Sequence, residues 1–135
     1  VVLIGGRQEE PLLEKLHEFL GLSKVVNLVG KCSIKQSMAA IKRCTCSIGI
    51  DTGMQHIAGA LSVPTISIFG PTNPKNHGAF STCSYFVEHD VDCKYCYGTE
   101  NYIHCKHRRC LTEITPQQVM DTVYQVLDYE NNKRL

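Results

Sequence analysis

The sequence predicts an α/β fold, in which a Rossmann-like parallel sheet carries helices on both faces. Short apolar runs alternate with amphipathic stretches along residues 1–69, which is the pattern of repeated β-α units. The apolar runs show little polar alternation, as expected for parallel strands that are covered on both sides. With 135 residues, 43% of them hydrophobic, the chain is long enough for one domain with its own core.

Four strands separated by three helices are predicted in the first half of the chain. The strands are apolar runs at residues 1–4, 25–29, 46–50 and 65–69. The first helix starts near Pro11 and ends at Gly21. Its apolar face consists of Leu12, Leu13, Leu16, Phe19 and Leu20. Ser33 with Gln36 forms a capping box for the second helix, and residues 53–61 form the third.

The pattern changes after residue 69. We expect a loop at 70–82, a fifth strand at 85–87 and an irregular segment at 90–112 that holds four cysteines. A second capping box, Thr115 with Gln118, begins a terminal helix whose apolar face is Val119, Val123, Val126 and Leu127. Residues 129–135 are predicted to be a polar tail.

Charge and composition exclude several classes of protein. The chain has 14 basic and 13 acidic side chains, so it lacks the basic excess of a nucleic-acid binder and we expect no nucleic-acid partner. It contains no run of 18 apolar residues and no visible signal peptide. Val1 lies inside an apolar run and no methionine precedes it, so we expect a chain cut from something longer.

The first candidate loop, Asp51-Thr52-Gly53, follows the third predicted strand and opens the next helix. Ligands of open parallel sheets bind beyond the carboxyl ends of the strands. Free N–H groups and the helix dipole at Thr52 and Gly53 favour a phosphate, and His56 lies one turn further on. One alternative stays open, in which Asp51 or Thr52 only caps the helix and His56 is a surface residue.

The second candidate loop begins with Gly70-Pro71-Thr72, directly after the fourth predicted strand. It supplies a hydroxyl, main-chain donors and a stiff turn, although the same composition is common in ordinary turns. Because the two loops hold equivalent positions on successive strands, the sequence favours a shared ligand site over two unrelated turns.

Two stretches together resemble the signature of glycosyltransferase family 9, the family of the ADP-heptose:lipopolysaccharide heptosyltransferases. Residues 50–64 read IDTGMQHIAGALSVP and residues 68–74 read IFGPTNP. The family pattern is D-T-G-x-x-H-x-A-A-A-x-x-x-P followed by F-G-P-T-x-P. The end of the cysteine segment, residues 110–116, is also similar to the family, so the resemblance covers nearly the whole chain.

The resemblance implies a GT-B architecture, in which two Rossmann-like domains face a cleft. Residues 1–135 would then be the nucleotide-sugar-binding C-terminal domain, truncated at its N-terminal edge, with residues 90–112 as a Cys-rich loop within it. Matching the motifs position by position implies one set of residues for the diphosphate: Asp51, Thr52, Gly53 and His56. It further implies Glu9 for the ribose hydroxyls, Cys32 beside the adenine, and Gly70 with Thr72 in the second phosphate-side loop.

The implied activity is transfer of heptose from ADP-heptose to lipopolysaccharide core or another glycan, with inversion at the anomeric carbon. The catalytic base is expected in an N-terminal domain outside this chain, so this chain alone is expected to be inactive, with His56 stabilising the leaving group. No cofactor is required. The implied location is the cytoplasm, with peripheral contact with the inner membrane. One rival interpretation is another GT-B nucleotide-sugar enzyme, such as an epimerase.

Four of the eight cysteines have a spacing typical of metal ligands: Cys93, Cys96, Cys105 and Cys110. Four thiolates bind zinc tetrahedrally, which would staple the long loop. Disulfides and free thiols are open alternatives. A zinc-stapled binding module without catalysis is the rival function from another class.

Overall fold

The computed structural model of the chain describes residues 1–20 and 25–132, which fall into two compact units, Val1–Ala40 and Ile41–Leu135. All strand pairs among these described residues are parallel. The predicted α/β class is therefore confirmed, with the described strands distributed over a two-stranded and a three-stranded sheet.

The first unit contains one β-α-β repeat. Its elements are β1 (Val2–Leu3), a 3-10 turn (Arg7–Glu9), α1 (Glu10–Leu20), β2 (Val26–Asn27) and the start of α2 (Ile34–Ile41). The Gly30 N–H donates to the Gly5 carbonyl at 3.0 Å, which continues the ladder beyond β1 and β2. Gly30 has φ +69°, and a Cβ there would overlap the Glu10 side chain, so the position requires glycine.

Two local predictions fall in the first unit, a capping box and the apolar face of α1, and only the first is confirmed in full. The Gln36 side chain accepts from the Ser33 N–H at 2.9 Å, and the Gln36 N–H donates to the Ser33 hydroxyl at 3.4 Å, which confirms the capping box. The apolar face predicted for α1 is only partly buried: Leu13 is buried, whereas Leu12 and Leu16 are exposed. The burial is partial because a two-stranded sheet is too narrow to cover the whole apolar face of the helix. The side chains of residues 19 and 20, and the stop at residue 21, lie outside what the structure describes.

The second unit contains a three-stranded sheet and five helices among the described residues. Its elements are β3 (Ser47–Ile50), α3 (Gly53–Ala60), β4 (Thr65–Phe69), α4 (Pro74–His77), β5 (Ser84–Glu88), α5 (Glu100–His104), α6 (Arg109–Thr112) and α7 (Pro116–Asn132). The strand order is β3-β4-β5, with Ile48 opposite Ile66 and Ile66 opposite Tyr85.

Helices cover both faces of this sheet, as predicted. On one face Ile66 and Val87 form the buried core with Val123 and Val126 of α7. Successive side chains of a strand alternate between faces, so Gly49 belongs to the opposite face. There α3 approaches closely, because the Gln55 amide lies where a Cβ on Gly49 would fall.

Two loop predictions are wrong in part, because short capped helices interrupt both segments. The predicted loop 70–82 contains α4, where the Asn73 side chain accepts from the Lys75 N–H at 2.9 Å and Pro74 begins the helix. The Asn-Pro pair that indicated a turn therefore caps a helix. The segment 90–112 contains α5 and α6, each too short to show a helical period.

The predicted polar tail is also wrong in part. The capping box at Thr115 is confirmed, since the Gln118 side chain accepts from the Thr115 N–H at 2.7 Å. From there α7 continues to Asn132. Polar residues are compatible with the exposed side of a helix, and no Gly or Pro lies between residues 128 and 132 to end it. Residues 133–135 lie outside the described part of the chain.

None of the helices in residues 1–20 and 25–132 combines the length and apolarity needed to cross a membrane.

Ile66 and Ile48 provide a test of the core, because they are opposite each other on the same sheet face. Ile66 is 0% exposed and Ile48 is 50% exposed. We expect Ile66→Ala to lower the free energy of unfolding by about 2 to 5 kcal/mol, from lost burial and the cavity left behind. Ile48→Ala is the matched control and should cost less than about 1 kcal/mol. Urea denaturation measures both, and equal losses would contradict this assignment of the core.

Candidate active site

A cavity of about 450 Å³ lies at the carboxyl ends of β3 and β4. It is lined by the last residues of both strands, the loops that follow them, and part of the segment 90–112. These residues are Ile50, Asp51, Ile68, Gly70, Pro71, Thr72, His77, Tyr97, Tyr102 and Leu111. The position agrees with the edge of a parallel sheet where ligands bind.

The first loop brings Asp51 to the cavity and leaves the start of α3 open. Thr52 is the N-cap of α3, with extended backbone, and its side chain makes no capping hydrogen bond. A Cβ on Gly53 would meet no atom within 4 Å, so space lies above this end of the helix. The first N–H groups of a helix have no partner within it, so the open end offers donors to a ligand.

His56 lies in α3 and is exposed, and the cavity lining does not include it. Thr52 and Gly53 are likewise exposed beside the cavity rather than in its wall. Of the four residues implied for the diphosphate, only Asp51 lines the cavity together with the second loop. Thr52, Gly53 and His56 are exposed and lie outside the cavity wall. The role expected for His56 stays a prediction.

The second loop packs against the segment 90–112. Gly70 is buried, and a Cβ there would overlap the Leu111 side chain. Glycine at this position therefore lets α6 approach the end of β4. Thr72 is half-buried and lines the cavity.

Glu9 and Cys32 belong to the first unit. Glu9 is half-buried, and its Oε2 lies 3.1 Å from where a Cβ on Gly6 would fall, so the carboxyl group folds over the Gly5-Gly6 turn. Cys32 is half-buried in the turn that follows β2. Both residues come after the carboxyl end of a parallel strand, the position where ligands of such sheets are bound.

Two tyrosines of the segment 90–112 form an aromatic wall of the cavity. The Tyr97 N–H donates to the Pro71 carbonyl at 3.0 Å, which fixes the segment to the second loop. The rings of Tyr97 and Tyr102 have centroids 5.1 Å apart and planes at 65°. The Arg108 guanidinium lies 4.5 Å from the Tyr102 centroid, in cation–π geometry.

Sequence reasoning missed the aromatic wall and His77, whose ring centroid is 6.3 Å from that of Tyr97. The available signal was three tyrosines among the cysteines directly after a predicted strand: Tyr95, Tyr97 and Tyr102.

Hydrogen bonds hold the beginning of this segment to β5. The Tyr95 hydroxyl donates to the Glu88 carboxylate at 2.8 and 2.9 Å, and this hydrogen bond raises the pKa of Tyr95. The Lys94 ammonium lies 2.8 Å from the Asp90 carboxylate and lowers the pKa of Asp90.

An ion pair and a histidine hold the end of the segment. The Arg109 Nε lies 2.6 Å from the Glu113 carboxylate, and the His89 Nε2 lies 2.9 Å from its other oxygen. The hydrogen bond from Arg109 lowers the pKa of Glu113. Noncovalent contacts therefore tie both ends of the segment to the sheet.

The four spaced cysteines share one neighbourhood and are free thiols in the structure. Burial raises the pKa of Cys110, and the nearby thiols of Cys96, Cys105 and Cys93 raise it further. In the part of the chain that the structure describes, no three His, Cys, Asp or Glu side chains are grouped closely enough to hold a metal ion. Four thiols suit zinc chemically, so the zinc site stays a prediction from spacing.

Metal content tests the zinc prediction. The cysteine spacing predicts one zinc per chain in the reduced protein, lost in Cys96→Ser and retained in the control Cys44→Ser, because Cys44 lies outside the spaced group, whereas the free thiols of the structure predict none. Elemental analysis measures this, and substoichiometric zinc would exclude the site.

Thiol reactivity tests the electrostatics of the same segment without metal. The Arg108 main chain hydrogen-bonds the Cys105 sulfur and lowers its pKa, whereas burial raises the pKa of Cys110. We expect iodoacetamide at neutral pH to alkylate Cys105 well before Cys110, because the thiolate is the reactive form. Mass spectrometry measures the order. Unfolded protein is the control, where the two should react alike, and faster alkylation of Cys110 in the folded chain would contradict the assignment.

Known proteins similar to this chain include lipopolysaccharide enzymes. Lipooligosaccharide heptosyltransferase 2 of Haemophilus influenzae is 35% identical over 78 residues, covering 56% of this chain and 22% of that protein. Lipopolysaccharide heptosyltransferase 1 of Pseudomonas aeruginosa is 32% identical over 92 residues, covering 68% of this chain and 25% of that protein. The chain thus spans about a quarter of the length of these relatives.

Solved structures share the fold over nearly the whole chain. ADP-heptose lps heptosyltransferase II of E. coli matches with a TM-score of 0.77 and 22% identity, covering 97% of this chain and 37% of that one. A family 9 glycosyl transferase from Veillonella parvula matches with a TM-score of 0.81 and 23% identity, covering 93% and 36%. These likenesses confirm the GT-B-type fold predicted from the motifs.

A family model described as glycosyltransferase family 9 (heptosyltransferase) matches residues 1–107, which include both candidate loops. The chain belongs to glycosyltransferase family 9.

Proposed function

We propose that this chain is the donor-binding part of an inverting glycosyltransferase that transfers heptose from ADP-heptose to lipopolysaccharide core. The observation that carries the proposal is the cavity at the ends of β3 and β4, which brings Asp51, Gly70 and Thr72 together beside the open start of α3. The heptosyltransferases to which the chain is similar support this donor and acceptor.

The diphosphate of the donor is proposed to sit at the start of α3. The unpaired N–H groups and the positive end of the helix dipole attract an anion there. Gly53 leaves room for a phosphate to approach the main chain. Thr52 keeps its hydroxyl free of a capping hydrogen bond, so it is available as a further donor to phosphate oxygen.

The motif implies Asp51 for the diphosphate, and we propose instead that its carboxylate contacts hydroxyl groups of the donor. A carboxylate next to a diphosphate would be repelled by it, whereas it accepts hydrogen bonds from hydroxyl groups readily. Asp51 lines the cavity and comes directly before the α3 start, so it lies where the group attached to the phosphate would enter.

Glu9 and Cys32 are proposed to contact the nucleoside. By motif position, Glu9 would accept hydrogen bonds from the two ribose hydroxyls and Cys32 would border the adenine. The Glu9 carboxylate lies over the Gly5-Gly6 turn, just after β1, and this contact supports the role proposed for it.

The proposed reaction breaks the bond between the anomeric carbon and the β-phosphate oxygen. The acceptor hydroxyl oxygen attacks that carbon, a general base takes the hydroxyl proton, and ADP leaves with the bonding electron pair. Negative charge grows on the leaving phosphate, where the α3 N–H groups stabilise it most in the transition state. His56, exposed in the first turns of α3, is proposed to add to that stabilisation.

Calorimetry with ADP tests the phosphate position. We expect submillimolar binding by the chain and a loss of about tenfold in Gly53→Val, because the added side chain fills the space above the helix start. Folding should be unaffected, since nothing contacts that space. Ala60→Val places the same valine side chain at the other, exposed end of α3, adding two carbons rather than three, and is the control. Absence of ADP binding, or equal affinity in Gly53→Val, would contradict the proposed site.

A further inference from the structure

The aromatic wall of the cavity has no part in holding the nucleotide as proposed above. Tyr97 and Tyr102 come from the segment 90–112, whereas the residues proposed for the nucleotide lie at strand ends and in the loops that follow them. We propose that Tyr97 stacks on the sugar ring of the donor, so that the Cys-rich segment forms the subsite for the transferred sugar. This inference rests on the proposed donor-binding function and names a recognition element within it.

The position and size of the cavity suit a pyranose attached to the diphosphate. The cavity reaches Asp51, and the α3 start comes directly after that residue. A group bonded to a phosphate at α3 is therefore within reach of the cavity. The volume of about 450 Å³ lies in the range of small-molecule sites.

The chemistry of the lining matches a sugar ring. A pyranose has C–H groups on its faces and hydroxyl groups around its edge, so it needs apolar surface and hydrogen-bonding groups together. Tyr97 supplies a flat apolar face, and Asp51 and Thr72 supply polar groups in the same cavity. Within the described residues, the Tyr97 side chain makes ring contacts but its hydroxyl donates no hydrogen bond, so it is free for a sugar hydroxyl.

The two rings of the aromatic wall leave one place for a stacked ligand. Tyr97 and Tyr102 pack edge to face on each other, with centroids 5.1 Å apart and planes at 65°, so no ligand ring fits between them. A ligand in the cavity can therefore stack only on the open face of Tyr97, and the difference between ADP and ADP-heptose binding distinguishes a base from a sugar there.

The wall is held in place before any ligand binds. The Tyr97 N–H to Pro71 carbonyl bond joins it to the second loop, and the Arg108 guanidinium covers the Tyr102 ring. Because both contacts exist already, binding does not have to order this part of the segment.

Calorimetry with ADP and with ADP-heptose tests the inference. Tyr97→Ala should weaken ADP-heptose binding about tenfold while the affinity for ADP changes less than about twofold, since only the sugar contact is lost. Tyr97→Phe keeps the ring and should retain most of the affinity. Tyr124→Ala is the matched control, because both tyrosines are 56% exposed and Tyr124 lies on α7 away from the cavity lining.

The outcomes separate this inference from the proposed function. If ADP and ADP-heptose bind and Tyr97→Ala weakens only the second, the sugar subsite is supported. If both ligands bind and Tyr97→Ala weakens neither, or weakens both equally, the inference is overturned and the nucleotide site stands. If Tyr97→Phe loses as much as Tyr97→Ala, stacking is overturned. If neither ligand binds, the proposed function fails and the inference fails with it.

Discussion

The parallel pairing of β3 with β4 is the constraint on which the candidate site depends. Ile50 lies opposite Ile68, so both strands end at the same edge of the sheet. Asp51 and Gly70 therefore enter one cavity although 18 residues separate them in the sequence. An antiparallel partner would place the end of β4 at the opposite edge and separate the two loops.

The segment 90–112 depends in turn on that shared edge. Its Tyr97 main chain bonds the second loop, its Leu111 side chain occupies the space that Gly70 leaves open, and Tyr95 bonds Glu88 at the end of β5. These contacts make the segment part of the cavity wall. They also explain how a long irregular stretch keeps one path with all its cysteines as free thiols.

The sequence predicted the parts that are determined by short-range patterns. Apolar runs located the strands, capping boxes at Ser33 and Thr115 located two helix starts, and the motif around Asp51 located the first loop. The aromatic wall could not be predicted in this way, because Tyr97 reaches the cavity through a bond to Pro71, 26 residues earlier. A contact between residues so far apart in the sequence leaves no periodic pattern of apolar residues. The short helix α4 was missed because Asn-Pro suits both a turn and a helix start.

A crystal structure of the chain with ADP-heptose tests most directly whether the donor lies across the α3 start and the aromatic wall. We expect phosphate oxygens within hydrogen-bonding distance of the first α3 N–H groups, near Gly53, and the sugar ring packed against Tyr97. A nucleotide bound elsewhere, or one whose adenine rather than sugar lies against Tyr97, would contradict it.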